Sequence, residues 1–434
     1  MHAARPGDLL TLDVEKPAAG GRMLARREGQ VVLVWGAIPG ERVQARIERA
    51  GKGLLYADTI EVLSASPDRR APGMDWRCGG NVFAHVAYAR QVALKGEIIQ
   101  DALGRIGRVP LPAPPGMIGS PEQGYRMRAR LHPSGGRIGF FREGTHEICS
   151  AGATGQLAPA TNAWIAAAQE FLQRERGLAG IEIAENIPGD QRAVHLELHE
   201  KADVAPFAAL ASVGSLTGLS AQRSDSRTVE QLAGEPFVTD TLHLPGGADA
   251  SPSGPEGPAL RLRREVRAFF QGNRFLLEHL VRHVASLVPA GPVVDLYAGV
   301  GLFGLAIAAT GAERVTLVEG DPVSGTDLQV NAEPFGARVR VEHRSVESYL
   351  RSMTPPAHAA FIVDPPRTGL SKDALAGIVR HRPSRIVYVS CDVATLARDT
   401  RTLLDAGYEL NGLTGIDLFP NTAHVETIAD FVNR

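Results

Sequence analysis

The sequence is poor in cysteine, and its cysteines are not arranged as metal ligands. The 434 residues include three cysteines, Cys78, Cys149 and Cys391, none of which is spaced as CxxC. Three thiols cannot supply an all-cysteine zinc site or a four-thiolate iron–sulfur site. In a chain of this size that we expect to be cytoplasmic, they do not indicate a disulfide framework either. A lone cysteine is usually a small buried apolar residue, and this is the interpretation for Cys149.

Long apolar runs and an excess of charge are absent as well. No run reaches the roughly 18 apolar residues of a membrane-spanning helix, and residues 1–10 lack the apolar core of a signal peptide. We therefore expect a cytoplasmic protein without a membrane partner. The hydrophobic fraction of 44% and the charged fraction of 22% are typical of a globular domain protein. Because the net charge is only −2, any nucleic-acid contact must depend on local patches.

Residues 8–64 predict a small β-barrel, because five strand-like runs are separated by glycine and proline turns. Such five-stranded OB-like barrels often bind single-stranded nucleic acid. Basic side chains in this segment could contact phosphates, but the acidic residues among them favour a solvated charged face equally well. The basic set is Arg22, Arg26, Arg27, Arg42, Arg46, Arg49 and Lys52, and the acidic set is Asp13, Glu15, Glu28, Glu41 and Glu48.

The middle of the chain predicts a β-rich domain bounded by proline-rich segments. Periodicity predicts a helix over 85–107, and 125–148 has a strand–turn–strand pattern. Arg126, Arg128 and Arg130 alternate along one face of that strand. This face fits a phosphate backbone and a plain charged sheet surface equally well.

A glycine-, proline- and serine-rich loop is predicted over 244–260, and beyond it a βαβ alternation continues to the end of the sequence. We therefore expect three domains: a barrel over 1–66, a β-rich domain over 67–255 and an α/β Rossmann-like domain over 256–434. The fold class is thus α/β with two β-rich N-terminal units.

The α/β segment carries the signals of a nucleotide site. A buried strand ends at "DLYAG", and Gly299 and Gly301 then open a helix whose N-terminus favours polar or anionic groups. Glu319 ends the next strand, 18 residues after Gly301, which suits the binding of ribose hydroxyls. A nicotinamide enzyme has the same pair of features, so the choice of S-adenosylmethionine (SAM) depends on motifs further along the chain.

Two downstream motifs favour methylation of a ring carbon. Asp364 precedes a rigid Pro-Pro turn, and Arg367 occupies the position where enzymes that methylate exocyclic amines have an aromatic residue. Pyrimidine C5 is a poor nucleophile until a thiolate adds to C6, and a base must then remove the C5 proton. Cys391 at a strand end fits the nucleophile, and Glu426, which enters an apolar run, fits the base. The alternatives are a buried structural thiol and a solvated carboxylate.

These residues resemble the RNA uracil-C5 methyltransferases, the bacterial 5-methyluridine enzymes of 23S rRNA and tRNA. The resemblance covers almost the whole chain and is carried by "SPDRRAP", "YRMRARLH", "FFQGN", "DLYAGVGLFGL", "VEGDP", "DPPRTGL", "VSCDVATLARD" and "LFPNTAHVET". It implies a SAM-dependent methyltransferase domain, an N-terminal TRAM domain and a central RNA-recognition domain, with the helix at about 88–107 packing back on the catalytic domain.

The resemblance also assigns roles to individual residues. It implies that Cys391 is the nucleophile and Glu426 the general base. It implies that SAM contacts come from Gln271, Tyr297, Glu319 and Asp364, which join the loop glycines Gly299 and Gly301 in the expected SAM site. Gln271 and Asp364 are expected near the target uracil as well.

The chain departs from the family pattern at several positions. TRAM-bearing rRNA members usually hold a [4Fe–4S] cluster with a "CGGC" pair, but "RCGGN" keeps only Cys78, and Cys149 precedes the position of the last ligand. We therefore predict that the cluster is absent. The family's Asn after the nucleophile is Asp392, its Gln in "FPQT" is Asn421, and a common Asn of the SAM loop is Leu302.

The sequence thus predicts a monomeric enzyme that uses SAM to make 5-methyluridine in RNA, with 23S rRNA favoured by the barrel. A tRNA uracil-C5 methyltransferase is the alternative within the same class. A non-catalytic RNA-binding or RNA-folding protein and a nicotinamide enzyme are the alternatives from other classes. The paired Cys391 and Glu426 argue against the non-catalytic alternative.

Overall fold

The computed structural model describes residues 5–18, 20–51, 53–172, 176–245, 256–353, 356 and 358–433. It contains a closed barrel, a seven-stranded sheet, a two-stranded ribbon and an eight-stranded sheet. This mixed α/β architecture confirms the predicted fold class. Among the helices described, none is long and apolar enough to cross a membrane.

The N-terminal barrel confirms the five predicted strands. These are β1 (Leu9–Pro17), β2 (Met23–Arg27), β3 (Gln30–Trp35), β4 (Arg42–Gly51) and β5 (Leu54–Ser64). Their order is β1-β2-β3-β5-β4, and β4 pairs back with β1 to close the barrel. Buried and exposed residues alternate along β1 and the first part of β4, because a period of two places apolar side chains inside the barrel.

The barrel's arginines divide between the two interpretations. Three pair with neighbouring carboxylates at the surface: Arg22 with Glu48, Arg26 with Glu15 and Arg42 with Asp13, at 2.8, 3.4 and 3.9 Å. The exposed side chains of Arg46 and Arg49 instead line a groove, and the Arg49 guanidinium lies 3.4 Å from the Tyr56 ring centre. Lys52 lies outside the described residues. The solvated-face interpretation thus fits the three pairs, and the phosphate interpretation fits Arg46 and Arg49.

The helix predicted over 85–107 is confirmed as α1 (Tyr88–Ala102), which continues as a π-helical turn over Leu103–Gly107. Ile99 and Leu103 of this segment pack in one apolar cluster with Ala397 and Val425 near the C-terminus. The following short strand β6 (Gly116–Ile118) pairs in parallel with Thr414–Ile416. The segment after the barrel therefore packs on the C-terminal α/β unit.

The central unit is a seven-stranded sheet whose apolar face is covered by helix α2. Its elements are β7 (Arg128–Ser134), β8 (Arg137–Phe141), β9 (Ile148–Ser150), α2 (Pro159–Leu172), β10 (Leu178–Glu185), β11 (Arg192–Leu198), β12 (Gly218–Arg223) and β13 (Glu230–Gly234). On the polar face, Arg128 pairs with Glu182 and Arg130 with Glu197, both at 2.7 Å. These pairs support the charged sheet surface rather than a free phosphate track for Arg128 and Arg130.

The expectation that no disulfide forms and that Cys149 is a free buried thiol is wrong. Cys78 and Cys149 form a disulfide with their Cα atoms 5.8 Å apart. The reason is tertiary: Cys149 pairs with Phe140 of β8, and Cys78 pairs in an isolated bridge with Arg142, the residue after β8, so this segment brings the two cysteines together. No group of three or more His, Cys, Asp or Glu that could hold a metal ion occurs in the part of the chain that the structure describes. The absence of an iron–sulfur cluster stays a prediction.

The disulfide predicts the number of reactive thiols in the purified protein. Alkylation in denaturant without reductant should modify one cysteine, Cys391, since the other two are bonded to each other. Prior reduction should raise the count to three. Peptide mass spectrometry of the alkylated protein is the measurement. Modification of Cys78 and Cys149 without reductant would contradict the bond.

A β-ribbon connects the central unit to the C-terminal unit. Its strands are β14 (Phe237–Pro245) and β15 (Glu256–Glu265). The loop predicted over 244–260 is therefore too long at both ends, and its part at 246–255 lies outside the described residues. Leu242 and Leu262 of the ribbon belong to the same apolar cluster as Leu305 and Leu317 of the C-terminal unit, so the ribbon packs on the α/β core.

The C-terminal unit is an eight-stranded sheet flanked by helices. Its elements are α3 (Leu277–Leu287), β16 (Val293–Leu296), α4 (Leu302–Ala309), β17 (Val315–Glu319), α5 (Pro322–Ala332), β18 (Val339–His343), α6 (Val346–Ser352), β19 (Ala360–Val363), α7 (Lys372–His381), β20 (Arg385–Ser390), α8 (Val393–Asp405), β21 (Tyr408–Ile416) and β22 (Glu426–Asn433). The order is β18-β17-β16-β19-β20-β22-β21-β6. The first five strands are parallel, so their carboxyl ends meet at one edge. Ligands collect at this edge in open α/β sheets.

Candidate active site

A cavity of about 620 Å³ lies at the carboxyl ends of the parallel strands. It brings together predicted residues that are separated by up to 155 positions in the chain, from Gln271 to Glu426. The predicted residues in its wall are Gln271, Tyr297, Gly299, Glu319, Asp364, Cys391 and Glu426. Of the predicted set, Gly301 alone is not part of this wall.

The glycine loop between β16 and α4 is shaped by left-handed backbone conformations. Tyr297, Gly299 and Gly301 have φ angles of 63°, 57° and 98°, and such values are uncommon for a residue with a side chain. A Cβ at Gly301 would lie 2.5 Å from the Leu305 side chain, so this glycine allows α4 to pack on the core. The Glu319 carboxylate accepts hydrogen bonds from the backbone N–H groups of Gly299, at 2.7 Å, and Asp321, at 2.6 Å. The loop and the end of β17 are thereby held together.

Cys391 lies directly after β20, on the cavity wall. Burial raises the pKa of its thiol to about 12, and the neighbouring Glu426 and Asp364 carboxylates add to this increase. The Arg367 guanidinium, which is close enough to bond the thiol, opposes the increase because it stabilises the thiolate. The cysteine therefore needs help from its surroundings or its substrate to ionise, and Arg367 is the cation in position to help.

Glu426 is the first residue of β22 and is 1% exposed. Burial and the nearby Asp364 raise the pKa of its carboxyl, while Arg367 lowers it. Its Oε1 atom is buried without a hydrogen-bond partner, which is unusual for a buried oxygen. Burial also raises the pKa of Asp364 to about 7, although its Oδ2 accepts a hydrogen bond from Gln271 Nε2 at 3.2 Å. Two basic carboxylates thus face a thiol.

The departures from the family pattern have local structural roles. Asp392 is the N-cap of α8, where its Oδ1 accepts hydrogen bonds from the N–H groups of Ala394 and Thr395 at 3.0 and 2.8 Å. Asn421 has a φ of 64°, a conformation that asparagine tolerates better than most residues. Leu302 is buried at the start of α4 and lines the cavity.

The cavity wall also contains residues that were not predicted as site residues from the sequence, among them Arg367. Arg367 was interpreted only through the aromatic residue that it replaces, and its basic charge beside Asp364 was the signal that it belongs to the site. Phe269 and Phe419 also line the cavity, and Phe269 is 59% exposed while the adjacent Phe270 is buried. An exposed ring at the mouth of a cavity is suited to stacking on a planar ligand.

The sheet order, the glycine loop and a nucleophilic side chain at one edge define an α/β methyltransferase that has a cysteine within its site. Comparison with known proteins agrees. Residues 3–60 match the TRAM domain, and residues 342–431 match the family described as tRNA (Uracil-5-)-methyltransferase.

Relatives match over nearly the full length. The chain is 32% identical to the 23S rRNA (uracil(1939)-C(5))-methyltransferase RlmD of Thiobacillus denitrificans, over 98% of each chain. It is 31% identical to RlmD of an Azoarcus species, over 95% of this chain and 96% of the relative. The chain therefore belongs to the RNA uracil-C5 methyltransferase family.

A solved structure shares the fold. The tRNA (uracil-54, C5)-methyltransferase of Pyrococcus abyssi, in complex with S-adenosyl-L-homocysteine, superimposes with a TM-score of 0.76 at 23% identity. The match covers 97% of this chain and 99% of that chain. At this level of identity the likeness shows a common arrangement of barrel, central sheet and α/β unit.

Proposed function

We propose that this protein methylates C5 of a uridine in 23S rRNA, with SAM as the methyl donor and a covalent intermediate on Cys391. The observation that carries the proposal is the single cavity that joins a thiol, two carboxylates of raised pKa and a nucleotide-type glycine loop. A thiol and a base within one site are what addition to a pyrimidine and later elimination require.

The cavity residues fit SAM. Glu319 stands at the end of the second strand of the parallel sheet, where a carboxylate can bind ribose hydroxyls. Nothing lies within 4 Å of where a Cβ of Gly299 would be, so the backbone there is open to a ligand. Tyr297, Gln271 and Asp364 complete the proposed binding set. SAM, when bound, supplies an electrophilic methyl group.

The side chains divide the chemistry on the uracil between them. The Cys391 sulfur forms a bond to C6, which makes C5 an enolate-like nucleophile, and Arg367 stabilises the thiolate before the attack. After C5 has gained the methyl group, Glu426 removes the C5 proton. The electrons of the C–H bond then form the C5–C6 double bond, and the Cys391 thiolate leaves. Asp364 and Gln271 hold the edge of the ring.

The choice between rRNA and tRNA depends on different observations. Full-length relatives that are named as 23S rRNA enzymes support rRNA, whereas the barrel arrangement is shared with a tRNA enzyme and does not separate the two. The shared fold of a tRNA enzyme makes tRNA the second candidate. In either RNA, the target base must leave its stack to reach Cys391.

The test uses purified protein, labelled SAM and separate pools of unmodified rRNA and tRNA, with Cys391→Ala as the control. The readout is 5-methyluridine measured by mass spectrometry. Product in rRNA that disappears with Cys391→Ala is the expected result. Product in tRNA alone would overturn the rRNA assignment, while the proposed methylation of uridine C5 through Cys391 would still hold. Product in neither pool, with SAM still bound, would favour the non-catalytic RNA-binding alternative.

The barrel groove should contribute to RNA affinity. We expect Arg46→Glu combined with Arg49→Glu to weaken RNA binding by roughly tenfold at low salt, because both exposed side chains line the groove and can neutralise phosphates. Filter binding across a salt series is the measurement. Arg340→Glu with Arg351→Glu changes the same charge elsewhere, at side chains that are 76% and 64% exposed. Equal weakening by both pairs would contradict a groove-specific role.

The raised pKa values predict the pH dependence of the reaction. The thiol, with a pKa of about 12, must lose its proton to act as the nucleophile. Asp364, with a pKa of about 7, must lose its proton to act as a hydrogen-bond acceptor at the edge of the ring. We therefore expect the single-turnover rate to rise with pH between pH 6 and 8, by up to about tenfold per unit. SAM affinity measured at each pH is the control. A flat or falling rate over this range would contradict the assignment.

A further inference from the structure

We infer that Gln91 and Lys95 of α1 are positioning residues for the general base. They act through the base loop, defined here as residues 417–425, which runs directly into Glu426 at the start of β22. The inference rests on the proposed function, since it assumes that Glu426 removes a proton from the uracil ring. It adds two residues that lie more than 300 positions from the base in the chain and that are not part of the cavity wall.

Lys95 holds the first part of the base loop. Its side chain and that of Asp417 are both 0% exposed, and the ammonium donates hydrogen bonds to Asp417 Oδ1 and to the backbone oxygen of Phe419, the latter at 2.9 Å. Tyr88, at the start of α1, donates to Asp417 Oδ2 at 3.0 Å. These three hydrogen bonds thus fix the residues on either side of Leu418, and Phe419 is the loop residue that lines the cavity.

Gln91 holds the second part of the base loop. Its Oε1 accepts a hydrogen bond from the backbone N–H of Asn421, and its Nε2 donates to the Asn421 side-chain oxygen, both at 2.9 Å. The same Nε2 also lies 3.0 Å from the Phe83 oxygen and 2.9 Å from the Val86 oxygen. Asn421 has left-handed backbone geometry, so these contacts hold the loop at a residue whose conformation is uncommon.

The residues of α1 share the polar support of the base loop with other groups, including Tyr125, whose hydroxyl donates to the Pro420 oxygen at 3.5 Å. Arg70 donates a hydrogen bond to the side-chain oxygen of Asn421 at 3.0 Å, and the backbone N–H of Phe83 donates to the backbone oxygen of Asn421 at 2.8 Å. Apolar packing continues the contact, because Ile99 of α1 and Val425, the residue before Glu426, share one cluster. A buried ion pair is weak evidence for stability by itself. The hydrogen bonds of the Lys95–Asp417 pair converge on the base loop. We therefore assign the pair a role in positioning the loop rather than in stabilising the fold.

The proposed reaction offers a readout that a merely structural role would not affect. The base acts only after the thiol has added to the ring, so a misplaced Glu426 leaves RNA covalently attached to Cys391. We expect Gln91→Met and Lys95→Met to slow release of 5-methyluridine product by roughly 10²-fold, the scale of a misplaced catalytic group. Both should accumulate SAM-dependent protein–RNA adducts on denaturing gels, while SAM affinity stays unchanged.

Matched variants make the outcome decisive. Gln100→Met changes the same residue type on the same helix, where Gln100 bonds the Leu111 oxygen instead of the base loop, and it should show neither slow release nor adducts. Glu426→Gln is the positive control for adduct formation. Gln91→Met introduces no unpaired charge, so it remains informative if Lys95→Met does not fold.

Each result then has one meaning. Adducts and slow release in Gln91→Met support the positioning role. Wild-type release per folded molecule, without adducts, in Gln91→Met would overturn it even if the protein became less stable. Absence of 5-methyluridine from the wild-type protein and of adducts from Glu426→Gln would instead indicate that the proposed function itself is wrong.

Discussion

Cys391→Ala is expected to abolish RNA methylation, by roughly 10⁴-fold or more, because no other group can then activate uracil C5. SAM binding should persist, since the thiol is one of many side chains in the cavity wall. The rate should be measured under single turnover with saturating protein, and SAM affinity by calorimetry. The expected effect is large because the thiol provides a covalent step rather than a share of binding energy.

Cys391→Ser is the size-matched control for this prediction. A serine hydroxyl occupies nearly the same volume but ionises far less readily than a thiol, so this variant should be nearly as inactive as the alanine variant. Retention of more than about a hundredth of the wild-type rate by Cys391→Ala would exclude an obligatory cysteine adduct. The protein would then need a different means of activating the ring.

Glu426→Gln is expected to stall the reaction after methyl transfer. The amide keeps the shape of the side chain but cannot accept the C5 proton, so elimination of the thiolate should slow by about 10²- to 10⁴-fold. The expected product is a stable complex of protein and RNA that requires SAM and survives denaturation. Gel electrophoresis detects the complex, and digestion followed by mass spectrometry locates the methylated uracil on Cys391.

The double variant Cys391→Ala with Glu426→Gln separates this complex from tight non-covalent binding. It should form no adduct, because the attacking sulfur is missing. Normal product release by Glu426→Gln would show that another group takes the proton. Asp364 would then be the first candidate, since burial raises its pKa to about 7 and it lies in the same cavity.

The sequence by itself predicted the elements that local patterns determine. Strand-like runs separated by glycine and proline turns marked the barrel strands, and the βαβ alternation marked the parallel sheet. Because parallel strands end at one edge, Glu319, Asp364 and Cys391 could be expected to meet in space before any coordinates were considered. Glu426 was harder to place, since its strand is antiparallel to β20. Its entry into an apolar run suggested the base, and the family resemblance implied the same role.

Tertiary structure alone decided the contacts between distant segments. The disulfide joins cysteines 71 positions apart, and Lys95 meets Asp417 across 322 positions. Arg128 meets Glu182 because β10 pairs beside β7, and Arg130 reaches Glu197 of β11, the next strand. This strand order turned an apparent phosphate track into ion pairs. Periodicity is set by neighbours in the chain, so it predicts strands and helices. It carries no information on which separate elements pack together, and that packing placed the base loop against α1.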